Sequence, residues 1–287
     1  MKKALVLLVA LPGVAQAKPP PTPQPWADEA LREVIEASLA PPPAEADAVP
    51  DTAPPAPTAP ASDSPPAPLS YGAEVDVASR YVWRGLAFSE HPVLQPSARI
   101  SDYGATLGLA SSAYLGTEPG VEKALSELDL TGSYSFSFGA ASMTPSIGAF
   151  FFAEAPWTAE LGATLGYDLS LFVLQTRQAL DIADNAGGWY ADVAAARSLP
   201  LGSRLRFDAT TSLAWCSGSF ARYYIDDSIS GLHWGAAQLD AALWLAPTDM
   251  FYIRLHGTAS RLVEEHMRTF TPEANLLSGG LALGLAH

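Results

Sequence analysis

Cysteine is almost absent from this sequence, since Cys216 is the only one in 287 residues. A single cysteine excludes an intrachain disulfide and a metal site built from several cysteines. We expect Cys216 to be a small residue that is buried or faces an aqueous interior. Basic residues are also scarce: 16 Lys and Arg stand against 30 Asp and Glu, for a net charge of −14. This charge argues against nucleic acid as a partner.

Long apolar runs are missing outside the N-terminus, although 48% of the residues are hydrophobic and only 16% are charged. No segment there is apolar for long enough to form a spanning helix. Only helices and closed barrels satisfy their backbone groups in lipid, so a membrane protein of this composition has to cross as strands. The length allows one barrel or two small domains.

The first 17 residues have the order of parts of a secretory signal peptide. Two lysines precede the apolar run at residues 4–9, and the small residues Ala15 and Ala17 supply a cleavage site. We therefore expect residues 1–17 to be removed and the mature chain to begin near Lys18. Such a segment predicts export into a bacterial envelope.

Residues 18–69 are rich in Pro, Ala and acidic residues, a composition that cannot bury a core and favours extended conformations. Within this linker, residues 26–39 (WADEALREVIEASL) carry apolar side chains at helical spacing between flanking prolines. The sequence predicts one short amphipathic helix here. It could dock a periplasmic partner, plug the mouth of a barrel, or be a transient helix in a linker.

Residues 72–85 (GAEVDVASRYVWRG) separate into two faces when they are read at a period of two. One face carries Tyr71, Ala73, Val75, Val77, Tyr81 and Trp83, and the other carries Glu74, Asp76, Arg80 and Arg84. An apolar face bounded by aromatic residues, opposite a face with charges of both signs, is typical of a membrane barrel with lipid outside and water inside. A soluble antiparallel sandwich also alternates, so the distinction depends on how the pattern repeats.

The alternation recurs along the rest of the chain. Further copies lie at residues 94–100, 103–109, 127–138, 143–151, 157–168, 172–181, 189–195, 205–215, 239–245, 251–255 and 277–285. Together they make about twelve strands, an even number that puts both termini in the periplasm. The predicted fold is all-β: an antiparallel up-and-down transmembrane β-barrel over residues 70–287.

The connections between these strands alternate in length. Short ones at residues 101–102, 139–142, 168–170, 200–203 and 247–249 alternate with mostly longer ones around 85–92, 116–126, 182–188, 217–231 and 262–275. Short periplasmic turns and longer external loops are typical of outer-membrane barrels, whereas a sandwich has no such regularity.

Aromatic residues fall near both ends of the predicted strands. We predict two girdles at the membrane boundaries, formed on the periplasmic side by Tyr71, Phe138, Tyr167, Phe172, Phe207 and Phe251, and on the outer side by Trp83, Phe151, Trp157, Trp189 and Trp215. Trp234 and Trp244 share the inward parity of Asp240. This requires a bulge in their strand or a tryptophan that faces the interior.

The inward positions predict a lumen of mixed charge. They are Glu74, Asp76, Arg80, Arg84, Arg99, Asp129, Glu160, Arg177, Asp192, Arg204, Arg206, Asp208, Asp240, Arg254 and His256. A barrel of this size leaves a narrow water path, so we expect passive diffusion of small hydrophilic solutes or ions with a mild cation preference. The alternative is a non-conducting structural barrel braced by Arg–carboxylate pairs, or one whose loop at residues 217–231 binds a partner.

We predict no catalytic residue, cofactor or metal site. A serine hydrolase needs a nucleophile, a base and an orienting group within hydrogen-bond reach. His256 and Ser260 share the inward parity but are distant along their strand. His233, of outward parity, has no serine of that parity near it in the sequence.

Four segments occur in an order that resembles the TorF-type porins, a family of bacterial outer-membrane proteins. They are SRYVWRG from Ser79, PVLQPSARISDYGATLGLASSAYLG from Pro92, SELDLTGSYSFSFG from Ser126 and WYADVAAARSLPLG from Trp189, and they cover much of residues 71–215. The resemblance implies an outer-membrane channel and assigns no catalytic residue. The Pro-rich N-terminal segment is a departure from it.

Overall fold

The computed structural model describes residues 69–116, 125–153, 155–271 and 273–286. The predicted signal peptide, the linker up to residue 68 and the helix predicted at residues 26–39 lie outside the described residues. The strands are β1 (Ser70–Ala78), β2 (Tyr81–Trp83), β3 (Leu86–Ser89), β4 (Val93–Asp102), β5 (Ala105–Tyr114), β6 (Leu125–Tyr134), β7 (Phe136–Phe138), β8 (Ala141–Phe152), β9 (Thr158–Asp168), β10 (Val173–Asp181), β11 (Trp189–Pro200), β12 (Leu205–Ser217), β13 (Leu232–Leu245), β14 (Phe251–Leu262) and β15 (Asn275–Ala286).

Two short helices complete the described part, α1 (Gly218–Tyr224) and α2 (Glu265–Thr269). Neither helix is long and apolar enough to span a membrane.

The wall is a closed ring of 12 antiparallel strands, which confirms the predicted fold. β7 continues β6, and both pair with β8, so the two form one wall strand. Closure occurs at β1, which pairs with β4 on one side and with the last strand, β15, on the other. Val75, for example, lies opposite both Pro96 and Leu283.

Alternating side chains give the wall two different faces. On β1, Val75 and Val77 are exposed outside the ring while Glu74 and Asp76 are buried inside it. The same alternation runs through the other wall strands, so the outer surface is apolar and the inner surface polar. A closed ring with an apolar outer face and a polar inner face suits an environment that is apolar outside and aqueous inside.

The connections fall into two classes at the two ends of the barrel. At the turn end, tight turns join β4 to β5, β7 to β8, β9 to β10, β11 to β12 and β13 to β14, at or beside the predicted short connections. Gly104 forms one such turn with a φ of 84°, and a Cβ there would lie 2.9 Å from the Ser135 carbonyl oxygen. The opposite end, here called the loop end, carries the longer connections, including α1 and α2.

The predicted outward direction of Tyr81 and Trp83 is wrong. β1 ends at Ala78, and the chain then leaves the wall to form a separate two-stranded hairpin, β2–β3. Trp83 is only 6% exposed and packs edge-on against Phe88, at 5.5 Å between ring centroids. It therefore belongs to an internal cluster and not to a girdle at the membrane boundary.

Two other predicted interior residues lie at the rims. Arg80 lies between β1 and β2 at the loop end and pairs with Glu273. Arg204 is exposed in the turn before β12 and donates a hydrogen bond to the Pro247 carbonyl oxygen. Both positions follow strand parity, but each lies just outside its strand, where parity no longer determines direction.

β13 contains a bulge, one of the two arrangements that the sequence allowed. Leu213 lies opposite Ala237 and Trp215 opposite Trp234, so β13 has one residue more than β12 across this interval. The extra residue turns Trp234 outward, where it is 52% exposed and contacts Trp215 edge-on at 6.2 Å. Trp244, beyond the bulge, stays inside the barrel.

Candidate functional site

The polar interior of the barrel is the candidate site. The predicted interior residues that the wall strands direct inward are Glu74, Asp76, Arg99, Asp129, Glu160, Arg177, Asp192, Arg206, Asp208, Asp240, Arg254 and His256. Arg84 also reaches the interior, but it does so from the turn of the β2–β3 hairpin.

A charge cluster spans the β1–β15 closure, here called the seam. Arg254 on β14 donates to both oxygens of Glu74 on β1, at 2.5 and 3.3 Å. His256 lies 2.9 Å from Asp76, and the Tyr252 hydroxyl donates to Glu74 at 2.8 Å. These bonds link the first strand to the penultimate one across β15.

Glycines on β15 make these contacts possible. A Cβ on Gly284 would lie 2.3 Å from the Tyr252 hydroxyl oxygen, and a Cβ on Gly280 would lie 2.4 Å from His256 Nε2. Real Cβ atoms do not come this close to another atom. The Tyr252 and His256 side chains can therefore cross β15 only because Gly284 and Gly280 have no side chain.

Trp244 lies between two guanidinium groups on the same side of the interior. The Cζ atoms of Arg206 and Arg254 lie 4.7 and 5.4 Å from the centroid of its ring. Arg206 Nε also donates to Asp208 at 3.1 Å, and Asp208 accepts a hydrogen bond from Ser198 at 2.6 Å. Trp244 therefore helps to fix the positions of the Arg206 and Arg254 guanidinium groups near the turn end.

Ion pairs also cover the opposite wall. Arg177 Nε on β10 donates to both oxygens of Asp192 on β11, at 2.9 and 3.0 Å. Closer to the seam, Asp240 on β13 accepts hydrogen bonds from neutral donors, Gln238 Nε2 and the Thr258 hydroxyl. Cross-strand pairing of this kind matches the bracing that we considered for a closed interior.

An apolar lid crosses the loop end, formed by the β2–β3 hairpin, α1 and α2. Its buried side chains pack together and against the ends of several wall strands: Tyr81, Trp83, Leu86, Phe88, Phe220, Ala221, Ile229 and Met267 from the lid, and Ala78, Val93, Tyr190, Ala214, Cys216, Ala236 and Leu262 from the wall. Within α1 the Phe220 and Tyr224 rings lie 4.4 Å apart between centroids, and Trp83 of the hairpin lies 5.0 Å from Tyr224.

Arg84 holds the tip of the hairpin against the far wall. The hairpin leaves the ring at β1, and β9 lies on the opposite side of the ring. There, Arg84 Nη1 and Nη2 donate to the two oxygens of Glu160 at 3.1 and 2.8 Å. The next residue, Gly85, has a φ of 81°, and a Cβ on it would lie 2.1 Å from the Ala236 Cβ. The hairpin thus spans the bore.

Aromatic rings surround the Arg84 guanidinium. Its Cζ atom lies 4.1 Å from the Trp83 ring centroid and 4.6 Å from that of Tyr190. Burial disfavours its charge, but the attraction of Glu160 outweighs burial, so the pKa of Arg84 lies above its ordinary value. The Arg84 guanidinium therefore stays positively charged where it meets the wall.

Charged side chains are more exposed near the turn end of the interior than beside the lid. The side chains of Arg84 and Glu160 are 9% and 4% exposed, whereas those of Arg206 and Asp208, nearer the turn end, are 24% and 17% exposed. The charged groups nearer the turn end are therefore more accessible to solvent than those beside the lid.

Two interior carboxylates were not among the predicted lumen residues although they have inward parity, and the lid was not predicted. Glu127 and Asp181 are buried inside the ring, and their inward parity could have identified them. Asp181 accepts from the Thr158 hydroxyl at 2.7 Å. No local pattern marks the lid, because its parts come together from three separate connections.

The histidines do not form the arrangements weighed for catalysis. His256 contacts Asp76, and Ser260 Oγ has no hydrogen-bond partner in the described chain. His233 is buried and lies 2.7 Å from both Glu264 and the Ser230 carbonyl oxygen. Among residues 69–116, 125–153, 155–271 and 273–286, no three His, Cys, Asp or Glu side chains group around a possible metal position.

Neither a scan against protein-family models nor a search of curated proteins finds a match. Several solved barrels are similar in fold. The NanC porin is 12% identical with a TM-score of 0.46, covering 74% of this chain and 98% of its own. The KdgM porin is 8% identical with a TM-score of 0.43, covering 76% and 98%.

A third similar structure is the translocator domain of the autotransporter NalP from Neisseria meningitidis. It is 11% identical with a TM-score of 0.42, and the match covers 91% of this chain and 95% of that one. At these identities and TM-scores the likeness carries no information on function. The TorF-type resemblance stays a prediction.

Proposed function

We propose that this protein is an outer-membrane channel for passive diffusion of small hydrophilic solutes or ions, with the lid as its constriction. The observation that carries the proposal is the partly exposed charged interior enclosed by a wall with an apolar outer face. Charged side chains remain partly exposed in the interior only where water solvates them, and the apolar outer face of the strands suits contact with lipid. The turn end would then face the periplasm.

The interior charge supports a preference for cations. Among the described residues, nine carboxylates face inward against five guanidiniums: Glu74, Asp76, Glu127, Asp129, Glu160, Asp181, Asp192, Asp208 and Asp240, against Arg84, Arg99, Arg177, Arg206 and Arg254. After the ion pairs are formed, carboxylates remain in excess. Rings of fixed charge in a narrow pore favour ions of the opposite sign.

The second candidate is a non-conducting structural barrel, and the lid favours it. An apolar cluster across the bore, fixed to the wall by Arg84, would stop flow if it never moved. The two candidates therefore differ in one respect: whether solutes find a continuous path past the lid, either in its closed position or after it opens.

Solute uptake into proteoliposomes separates them. We expect vesicles containing the folded protein to take up small neutral solutes and to exclude larger ones, with a sharp size limit. Vesicles made with heat-unfolded protein are the control. If folded protein admits no solute above the lipid background, the channel proposal is wrong and the structural barrel stands.

We further propose that residues 1–17 direct export and that residues 18–69 form a periplasmic linker whose helix at 26–39 binds a partner there. The support is compositional. Deleting residues 18–68 should leave the barrel folded and abolish capture of that partner. An unchanged set of captured proteins would contradict the partner proposal.

A further inference from the structure

One polar side chain interrupts the apolar outer face of the wall. Gln178 on β10 has outward parity and is exposed, between the outward and exposed Leu174 and Leu180. Among the outward positions of the described wall strands, it is the only amide away from a strand end. The charged side chains at outward positions of those strands lie nearer the rims: Asp102, Arg197 and Arg261.

Lipid cannot satisfy the Gln178 amide. No residue that the structure describes forms a hydrogen bond with it. Apolar side chains continue the outer face on both sides of it, with Leu180 and Ile182 toward the loop end and Leu174 toward the turn end. Lipid tails offer neither donors nor acceptors, so an amide that contacts only them loses all its hydrogen bonds. This is an argument that another protein surface covers Gln178.

The surroundings of Gln178 are small or weakly polar. On the neighbouring strands, Ala163 of β9 and Ala191 of β11 lie directly opposite it. Thr176 is the next outward residue on β10, and Thr211 on β12 is outward and exposed. We call these five residues the amide patch. Small side chains let two backbones approach closely within a membrane, and amide and hydroxyl groups then form hydrogen bonds across the contact.

The amide patch is complementary to itself. It carries no charge, and each of its polar side chains is both a donor and an acceptor of hydrogen bonds. Two copies in one membrane have the same orientation, so a two-fold axis between them runs along the membrane normal and brings together residues of equal depth. Gln178 then meets the same residue of the second copy, and the two amides can exchange two reciprocal N–H···O bonds.

We propose that two copies of this chain associate in the membrane through the amide patch, with the Gln178 side chains paired at its centre. A second copy is the occupant that the patch fits, because its own donors and acceptors supply the complementary groups. The competing explanations are a patch covered by lipid and a patch covered by a different membrane protein. The proposal needs a barrel in lipid, but it does not depend on whether the barrel conducts.

Sedimentation equilibrium of the refolded protein in density-matched detergent micelles measures the association. We expect wild type to show a reversible equilibrium between monomer and dimer, and Gln178→Leu to raise the dissociation constant about tenfold. Its fold should survive, because leucine suits a position that faces lipid, and resistance to heating in gel electrophoresis checks this. Val75→Ala is the control, since Val75 is outward on β1, on the opposite side of the ring. It should leave the dissociation constant unchanged.

Cross-linking in lipid vesicles locates the interface. In a Cys216→Ser background, Ala163→Cys should be joined between copies by a short reagent with two maleimide groups, whereas Val75→Cys should not. A wild type that stays monomeric, a Gln178→Leu variant that associates as strongly as wild type, or equal cross-linking of the two cysteine variants would overturn the proposal. Because these readouts measure association, their failure would leave the channel proposal untouched.

Discussion

Arg84 and Glu160 are 76 positions apart in the sequence and meet across the bore through two hydrogen bonds of 3.1 and 2.8 Å. One residue belongs to the lid and the other to the far wall, so this pair ties the lid to the wall. Both side chains are buried, and removing only one partner would leave an uncompensated charge.

Releasing this pair should widen the channel. We predict that the double variant R84M/E160Q folds and has a larger single-channel conductance than wild type, because the hairpin is no longer held against β9. The single variant Arg84→Ala should be less stable by about 3 to 5 kcal/mol, since it leaves Glu160 buried alone.

Planar-bilayer recording measures the conductance, and urea unfolding in lipid vesicles measures the stability. Arg197→Gln is the control, because Arg197 is exposed near the turn end and bonds only to the Leu171 carbonyl oxygen among the described residues. If R84M/E160Q and wild type conduct equally, the lid is not the constriction.

The chemical reactivity of Cys216 should report the position of the lid. Cys216 is 1% exposed and lies in the cluster beneath the lid. We predict that a charged maleimide modifies it slowly in the folded wild type and much faster in R84M/E160Q, because water then reaches the cluster. Mass spectrometry follows the modification. Rapid labelling of folded wild-type protein would contradict a closed lid.

Adding side chains at the glycines of β15 should weaken the charge cluster at the seam. Gly280→Ala and Gly284→Ala are each predicted to lower the free energy of unfolding by about 1 to 3 kcal/mol, because His256 or Tyr252 is pushed off its buried carboxylate. Urea unfolding in vesicles measures the effect. Gly279→Ala is the matched control, since its Cβ would meet nothing closer than 3.6 Å. Equal stability of all three variants would mean that the seam contacts contribute nothing.

The wall could be predicted from the sequence because each strand obeys a local rule. Val75 and Glu74 reveal their faces by parity alone, and the alternation of short and long connections gives the order of the strands. Parity also marked Trp234 and Trp244 as anomalous, but it could not decide between a bulge and an interior tryptophan. The bulge turns Trp234 outward, and Trp244 lies inside.

The lid could not be predicted in this way. Tyr81 and Trp83 continue the parity of β1, but parity cannot tell whether an apolar face meets lipid or other side chains. The direction changes at Ser79 and Arg80, where the strand ends. The ion pairs of the interior could not be predicted either, because partners such as Arg254 and Glu74 are 180 positions apart and meet only once the ring closes.

The reversal potential of folded wild-type protein in a planar bilayer under a potassium chloride gradient tests the central claim most directly. A water-filled, net-acidic interior predicts a small conductance and a reversal potential whose sign shows that potassium crosses faster than chloride. Heat-resistant, correctly folded protein that gives no conductance, or one that selects chloride, would contradict the account.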